Sequence, residues 1–180
     1  IFFAIKGKNK NGNLFLKEVF KKKASLAIVN KINQSENKLN QIKVKNTLNF
    51  LTKTSSIVRD NSEAKIIAIT GSCGKTSLKE MLGKTLKKFS RTTYSSKSFN
   101  NKFGVPLSLF NLNQKDEYGV FEVGMDKKGE INNLTKIIKP DVGVITNVSY
   151  AHAKNFKSIK QIALAKAEII NNIKENGYII

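Results

Sequence analysis

From residue 65 onward, short apolar runs rich in β-branched residues alternate with longer segments in which apolar residues recur every three or four positions. The first pattern predicts buried strands, and the second predicts amphipathic helices. Because the strands are almost uniformly apolar, we expect a mostly parallel sheet that is covered by helices on both faces. The predicted strands are 65–70, 91–95, 118–124, 142–146 and one starting at Tyr178; the predicted helices are 75–88, 105–111, 130–138 and 158–172.

The first 62 residues repeat these patterns over shorter lengths. They predict strands at 1–6, 26–30 and 42–44, helices at 14–23 and 46–60, and a polar loop at 33–40. The polar cluster Asp60-Asn61-Ser62 suits a boundary between domains. We therefore expect an α/β protein with a small domain over 1–62 and a second domain over 63–180. The chain starts with Ile and ends in strand-like sequence, so the second domain is expected to be truncated.

The composition is strongly basic, with 32 Lys and Arg against 13 Asp and Glu and a formal net charge of +19. Such a surplus can indicate nucleic-acid binding. Only Arg59 and Arg91 are arginines, however, and arginine is the residue that reads base edges bidentately. The lysines are spread along the whole chain, which favours a general lysine bias over a nucleic-acid surface.

Cysteine content and apolar run lengths bear on the compartment. Cys73 is the one cysteine, which excludes an internal disulfide. No apolar run approaches the roughly 20 residues that cross a bilayer, and the first residues lack the pattern of a signal peptide. These features predict a cytoplasmic protein without membrane insertion.

The segment 66–77 contains the most specific chemical signal. A buried strand ends in a loop that reads Thr-Gly-x-x-Gly-Lys-Thr, and a helix follows. This order is typical of a loop whose backbone N–H groups and helix dipole bind phosphates. Lys75 would supply positive charge to the phosphates, and the Thr76 hydroxyl would ligate Mg²⁺. The predicted nucleotide-binding residues of this loop are Gly71, Ser72, Cys73, Gly74, Lys75, Thr76 and Ser77.

Three further groups lie at or beyond predicted strand ends, where open α/β sheets bind ligands. Glu122 lies near the end of the predicted strand 118–124 and is a candidate Mg²⁺ ligand. His152, the one histidine, follows the strand 142–146. Lys166 lies on a helix among small and apolar residues, where burial would lower its pKa and permit carbamylation by CO₂. The alternative is an ordinary lysine paired with Glu168 or solvent.

Taken together, these elements resemble the Mur ligase superfamily of ATP-dependent amide-forming enzymes. The upstream segment 2–7 and Asn11-Gly12 resemble the family's UDP-substrate-binding domain, with Asn13 where the family usually has His. The matching motifs are Thr70–Thr76, Phe99–Leu107, Phe121–Met125, Gly129-Glu130-Ile131, Ile145-Thr146-Asn147 with Ala151-His152, and Ala165–Ile169.

The resemblance implies transfer of the ATP γ-phosphoryl group to a carboxylate, followed by attack of an amine on the acyl-phosphate. It implies one Mg²⁺ on Thr76 and Glu122, and a second near His152 that a carbamylated Lys166 helps to organise. Asn100 or Asn101 would reach the γ-phosphate. The Asn-Asn-x-x-Gly-Val-Pro and Gly-Glu-Ile elements favour the member that joins D-alanyl-D-alanine to UDP-N-acetylmuramoyl-tripeptide in peptidoglycan synthesis. Residues 1–62 would then be part of the UDP-substrate domain and 63–180 the first part of the ATP-binding domain.

Alternatives from other classes remain open. One is another amide ligase of the Mur or folylpolyglutamate type, and another is an unrelated P-loop kinase. A basic nucleic-acid-binding module is the third, and it would show steep salt dependence.

Overall fold

The computed structural model describes residues 1–7, 10–36, 38–150 and 155–180. The chain forms two compact units, Ile1–Lys53 and Thr54–Ile180. No helix in these described ranges is long and apolar enough to cross a membrane. The predicted division into functional domains at residues 62 and 63 stays a prediction.

The described part of the first unit contains a small parallel sheet. Its strands are β1 (Phe2–Phe3), β2 (Ala27–Val29) and β3 (Gln41–Lys43), in that order across the sheet. A 3₁₀ turn, Gly12–Phe15, leads into helix α1 (Leu16–Lys21). Apolar side chains from these elements and the loops beside them form the core of the unit: Ala4, Leu16, Ala27, Val29 and Leu39.

The second unit is built on a parallel sheet of strand order β5-β6-β4-β7-β8 among the described residues. Each neighbouring pair is parallel, as the apolar strand pattern predicts. The strands are β4 (Lys65–Thr70), β5 (Thr92–Tyr94), β6 (Tyr118–Glu122), β7 (Val142–Ile145) and β8 (Tyr178–Ile179).

Helices cover this sheet on both faces. One face packs Ile69 and Val120 against Leu78 and Leu82 of the helix that follows β4. The other face packs Phe121 against apolar residues such as Ile131 and Ile162 from later helices. The helices are α2 (Thr47–Asp60), which ends in this unit, α3 (Lys75–Leu86), α4 (Gly104–Phe110), α5 (Glu130–Ile138) and α6 (Ile159–Ala167).

Most differences from the sequence prediction lie at element ends. Strand β6 stops at Glu122, because the backbone N–H of Gly124 leaves the ladder and donates to the Asn100 carbonyl. The helix predicted over 158–172 is α6 followed by a 3₁₀ turn, Glu168–Asn172. This tighter turn holds Glu168 and Asn172, both of which hydrogen bond to the start or first turns of α5.

The chain order of the strands also locates the ligand edge. Strand β6 lies on one side of β4, and the next strand along the chain, β7, lies on the other. Parallel sheets bind ligands outside the carboxyl ends of strands where the order reverses in this way. The loop after β4 and the ends of β6 and β7 therefore meet at the expected edge.

Candidate active site

The loop between β4 and α3 contains two glycines with positive φ, at which the chain changes direction. Gly71 has φ of 149° and Gly74 has φ of 78°, which favour glycine over residues with a side chain. A Cβ on Gly71 would lie 1.9 Å from the Thr146 hydroxyl oxygen, so the closeness of β7 also requires glycine there. Beside Gly74, the nearest described atom would be 3.9 Å from a Cβ. The loop is therefore crowded towards β7 and open at the start of α3.

Lys75 begins α3 and bends its side chain back over this loop. Its ammonium donates to the Gly71 carbonyl at 2.7 Å and lies 3.4 Å from the Ser72 carbonyl oxygen. The first N–H groups of an α-helix have no partner within the helix, and the helix dipole makes this end attractive to anions. A cation and the first N–H groups of a helix thus meet at one point.

The end of β6 supplies an acid to the same place. Glu122 is 1% exposed, and its two carboxylate oxygens accept from two different elements. The Thr76 hydroxyl donates to one oxygen at 2.7 Å, and the Asn100 amide donates to the other at 2.8 Å. The Ser98 hydroxyl lies 3.4 Å from the Thr76 hydroxyl. Glycine at 124 accommodates Asn100, since a Cβ there would lie 2.9 Å from the Asn100 amide carbon.

Asn101 points its side-chain oxygen elsewhere. That oxygen accepts the N–H groups of Phe103 and Gly104, both at 3.0 Å, at the start of α4. Of the two predicted asparagines, Asn100 is therefore the one beside Glu122. Asn101 fixes the helix that follows.

The segment after β7 contacts the β4–α3 loop from the other side. The Asn147 side-chain oxygen accepts the N–H groups of Ser72 and Cys73 at 3.1 and 3.0 Å. The Thr146 hydroxyl donates to the Cys73 carbonyl at 2.6 Å. The Ser72 hydroxyl donates to the Ser149 carbonyl at 3.0 Å and accepts its N–H at 2.9 Å. Two loop N–H groups are thus satisfied by an amide side chain.

Lys166 is almost completely buried, with 1% of its surface exposed. Burial lowers the pKa of Lys166 to about 8, and the positive charge of Lys75 makes a smaller contribution in the same direction. Within the described ranges its ammonium makes no hydrogen bond or ion pair. The predicted alternative partner, Glu168, instead accepts the N–H of Gly129 at 2.7 Å and that of Asn132 at 3.2 Å. A substantial neutral fraction of the amine is therefore available near pH 8.

His152 lies outside the described residues, in the range 151–154, so its place in the site stays a prediction. Among the residues that the structure does describe, no group of three or more His, Cys, Asp or Glu is arranged to hold a metal ion. The oxygen donors that come together here are the Thr76 hydroxyl and the Glu122 carboxylate.

Several polar residues of this edge escaped the sequence prediction of site residues. Thr146 and Asn147 fell in a recognised motif but received no role, although their place at the end of β7 could have indicated one. Others gave no local signal: Lys79, Ser95, Ser98 and Ser149.

Comparison with known proteins places this geometry in a family. The Mur ligase middle domain family matches residues 69–180. The UDP-N-acetylmuramoyl-tripeptide–D-alanyl-D-alanine ligase of Buchnera aphidicola subsp. Baizongia pistaciae is 39% identical over 180 residues, which is all of this chain and 39% of that protein. The ligase of the same name from Rickettsia prowazekii is 39% identical over 181 residues, covering all of this chain and 40% of that protein.

Solved structures agree. MurF from Acinetobacter baumannii superposes with a TM-score of 0.83 at 34% identity, covering 98% of this chain and 39% of that one. MurF from Thermotoga maritima in complex with ADP gives 0.79 at 31% identity, covering 98% and 41%. This chain spans about two fifths of the length of the curated relatives it matches. Because the middle-domain match covers more than half of its residues, the chain belongs to the Mur ligase family.

Proposed function

We propose that this chain is part of an ATP-dependent ligase that adds D-alanyl-D-alanine to UDP-N-acetylmuramoyl-tripeptide, in peptidoglycan precursor synthesis. The observation that carries the ATP-dependent chemistry is the 2.7 Å hydrogen bond from Thr76 to Glu122, which joins the helix after the glycine loop to the neighbouring strand. The names of the relatives support the two substrates. Residues 1–62 would be part of the UDP-substrate domain and 63–180 the first part of the ATP-binding domain, working in the cytoplasm.

The nucleotide would bind at the open start of α3. A Cβ on Gly74 would have no described atom nearer than 3.9 Å, which leaves room for a phosphate against the backbone. Lys75 would exchange its carbonyl partners for phosphate oxygens. The residues proposed to contact the nucleotide are Gly71, Ser72, Cys73, Gly74, Lys75, Thr76, Ser77 and Asn100. Asn101 is not kept in this set, because its side-chain oxygen accepts the N–H groups of Phe103 and Gly104.

Thr76 and Glu122 fit a Mg²⁺ ion by the chemistry of their donors. Mg²⁺ prefers oxygen ligands and is usually held by one or two carboxylates together with substrate phosphates. A single buried carboxylate beside a hydroxyl meets that requirement. When bound, the ion would neutralise charge that develops on the transferred phosphoryl group.

We further propose that His152 and a carbamylated Lys166 hold a second Mg²⁺. The neutral Lys166 amine would attack CO₂, forming an N–C bond and releasing one proton, and a carbamate with two oxygen donors would result. The lowered pKa and the small neighbours Ala165 and Ala167 support this modification. It would replace a positive charge near Lys75 with a negative one.

The reaction itself needs alignment and charge neutralisation more than acid–base groups. Lys75 would orient the γ-phosphoryl group towards the terminal carboxylate of the tripeptide. The amine of D-alanyl-D-alanine would then attack the acyl carbon of the acyl-phosphate, forming the amide bond and expelling phosphate. Asn100 would keep the Glu122 carboxylate in register with Thr76 throughout.

The test is an assay of the full-length protein for ADP release. We expect release that requires both UDP-N-acetylmuramoyl-tripeptide and D-alanyl-D-alanine, with the pentapeptide product confirmed by mass spectrometry. Parallel reactions replace the acceptor pair by other Mur substrates, or by a folate with glutamate. Faster turnover with any of these pairs would contradict the assignment of substrates.

A further inference from the structure

A fully buried lysine lies on the phosphate-loop helix, outside the predicted site. Lys79 is 0% exposed. Its ammonium donates to the carbonyl oxygens of Ser95 at 2.7 Å and Lys97 at 2.8 Å, and to the Glu80 carboxylate at 2.7 Å. An ammonium has three donors, so these described partners satisfy it completely. Burying a charge is costly unless it is paired in this way.

Lys79 and Thr76 lie on the same face of helix α3. Residues three apart lie on the same helix face, so both side chains project from α3 towards the segment that follows β5. Thr76 meets Ser98 and Glu122, and Lys79 meets the backbone of the segment just before Ser98. The Tyr94 ring also lies near Lys79, with its centroid 5.9 Å from the Lys79 nitrogen.

The carbonyls that Lys79 holds belong to a segment with local strain. Lys97 has φ of 49°, a left-handed conformation that residues with a side chain rarely adopt. Ser98, which lies beside Thr76, follows directly, and Asn100, which donates to Glu122, comes two residues later. Fixing the Lys97 carbonyl therefore fixes the path by which both polar groups reach the site.

A second link runs from Lys79 to the backbone of Glu122. Ser95, whose carbonyl Lys79 holds, is 1% exposed, and its hydroxyl accepts the N–H of Glu122 at 3.1 Å. Two hydrogen bonds thus connect the ammonium on α3 to the strand residue that carries the acid. Thr76 and Glu122 lie on different elements, and this connection sets their separation.

We infer that Lys79 is a positioning residue for the proposed phosphate and Mg²⁺ site: it clamps residues 95–97 to α3 so that Thr76, Asn100 and Glu122 hold their mutual geometry. The inference rests on the proposed function only in taking Thr76 and Glu122 as metal ligands. It is independent of which peptide substrates the enzyme joins.

The experiment measures ADP affinity of the full-length protein by calorimetry, with Mg²⁺ and with EDTA, for wild type and Lys79→Met. We expect the gain in affinity that Mg²⁺ gives to fall by about 10–100-fold in Lys79→Met, as for other residues that orient metal ligands. Affinity in EDTA should change little. Lys79→Arg, which retains donors for both carbonyls, should recover part of the Mg²⁺ gain.

Arg59→Met is the matched control, since Arg59 is also a buried cation that donates to backbone carbonyls of the same unit. It should lower thermal stability and leave the Mg²⁺ gain unchanged. Ser95→Ala tests the second link without altering a charge, and carries the test if Lys79→Met does not fold. It should reduce the Mg²⁺ gain and speed hydrogen exchange of the Glu122 amide in metal-free protein.

A Mg²⁺ gain within twofold of wild type in Lys79→Met, or in Ser95→Ala if the former does not fold, would overturn the inference. An equal loss in Arg59→Met would also overturn it, because the effect would then be general destabilisation. If Mg²⁺ did not increase the ADP affinity of the wild-type protein, both the proposed Mg²⁺ site and the inference would be wrong. A wild type that shows the gain but does not ligate D-alanyl-D-alanine would refute the proposed function and leave the role of Lys79 standing.

Discussion

Lys75 is half-buried, and carbonyl oxygens of its own loop hold its ammonium, which can exchange them for a ligand. We predict that Lys75→Ala in the full-length protein lowers kcat of ligation by about 10²–10³-fold, the usual effect of removing one transition-state charge contact. The melting temperature should stay within a few degrees of wild type, since Lys75 is not one of the buried core residues. Turnover and thermal unfolding are measured on the same preparation.

Lys84→Ala is the matched control for this change. Lys84 lies on the same helix, and its side chain is exposed and pairs with Glu80 at 3.4 Å. An exposed pair of this kind contributes little, so both activity and stability should be retained. Near wild-type turnover in Lys75→Ala would end the assignment of the phosphate loop.

Lys166 makes the stability of the fold depend on pH. Its folded pKa is about 8, against 10.5 for an ordinary lysine, with burial as the main cause. Below pH 8 both folded and unfolded states are protonated, and the folded state bears the full cost of a buried charge. Between pH 8 and 10.5 the unfolded state binds more protons, so stability rises with pH across this window.

We predict that Lys166→Met is more stable than wild type at pH 7, by about 1–3 kcal/mol, and that the difference shrinks towards pH 10.5. The free energy of unfolding is measured with urea at several pH values in CO₂-depleted buffer, so that the amine stays unmodified. Comparison with the variant cancels the titration of the other lysines. A difference that is constant from pH 7 to 10 would contradict the lowered pKa.

At the scale of elements, the local sequence defines those that are strongly periodic. Strand β4 and helix α5 have the predicted bounds, because an apolar run and an amphipathic pattern that ends before Pro140 determine them locally. The sequence predicts an end of β6 at residue 124, whereas the strand ends at Glu122. The difference arises because the Gly124 N–H donates to the carbonyl of Asn100, which lies 24 residues earlier in the chain. Glu122 beside Thr76 was predictable, because parallel strands end at one edge.

The supporting contacts of the site were not predictable in the same way. Lys79 looks like any exposed lysine of a helix, and only the path of residues 95–97 makes it buried. Likewise, the two N–H groups that Asn147 accepts become its partners through the route of the loop after β7. Such contacts depend on tertiary geometry, which periodicity does not contain.

The β4–α3 loop and the end of β7 approach each other closely, and this approach can be tested by substitution. Gly71 and Gly129 both have positive φ, but a Cβ on Gly71 would clash with Thr146, and a Cβ on Gly129 meets no described atom within 4 Å. We predict that Gly129→Ala destabilises by about 1 kcal/mol through backbone strain alone. Gly71→Ala adds the clash and should cost about 3 kcal/mol or more.

The two variants are compared by urea unfolding. Both variants replace a glycine of positive φ by alanine, so the difference between them reports the crowding beside Thr146 together with the greater backbone strain at φ of 149° than at 88°. Equal losses of stability in the two variants would show that Thr146, at the end of β7, does not restrict the side chain at position 71. Gly71→Ala should also weaken nucleotide binding, whereas Gly129→Ala should leave it intact.

On the scale of the whole molecule, the second unit has its candidate site at one end of the sheet and a buried stabilising network at the other end. The polar groups of the site gather at the carboxyl ends of β4, β6 and β7. Near the amino end of β4, Arg59 joins helix ends and the strand start. Its guanidinium is 3% exposed and donates to the carbonyls of Ile138, Ser62 and Lys139 and to Asp141. Asp141 in turn accepts the Ile66 N–H at 2.7 Å.

We predict that Arg59→Met destabilises the chain by about 3–5 kcal/mol, because it leaves a buried network of acceptors without its cation. Arg59→Lys should lie between, since an ammonium cannot reach acceptors spread around a planar guanidinium. Lys174→Met is the control: Lys174 also pairs with Asp141, at 3.0 Å, but its side chain is exposed, so its loss should cost less than about 1 kcal/mol. Urea unfolding ranks the three variants, and Mg²⁺-dependent ADP affinity of the folded protein should be the same in all of them. If Arg59→Met changed that affinity while keeping its stability, the two ends of the sheet would not be the separate stability and ligand regions that the hydrogen bonds describe.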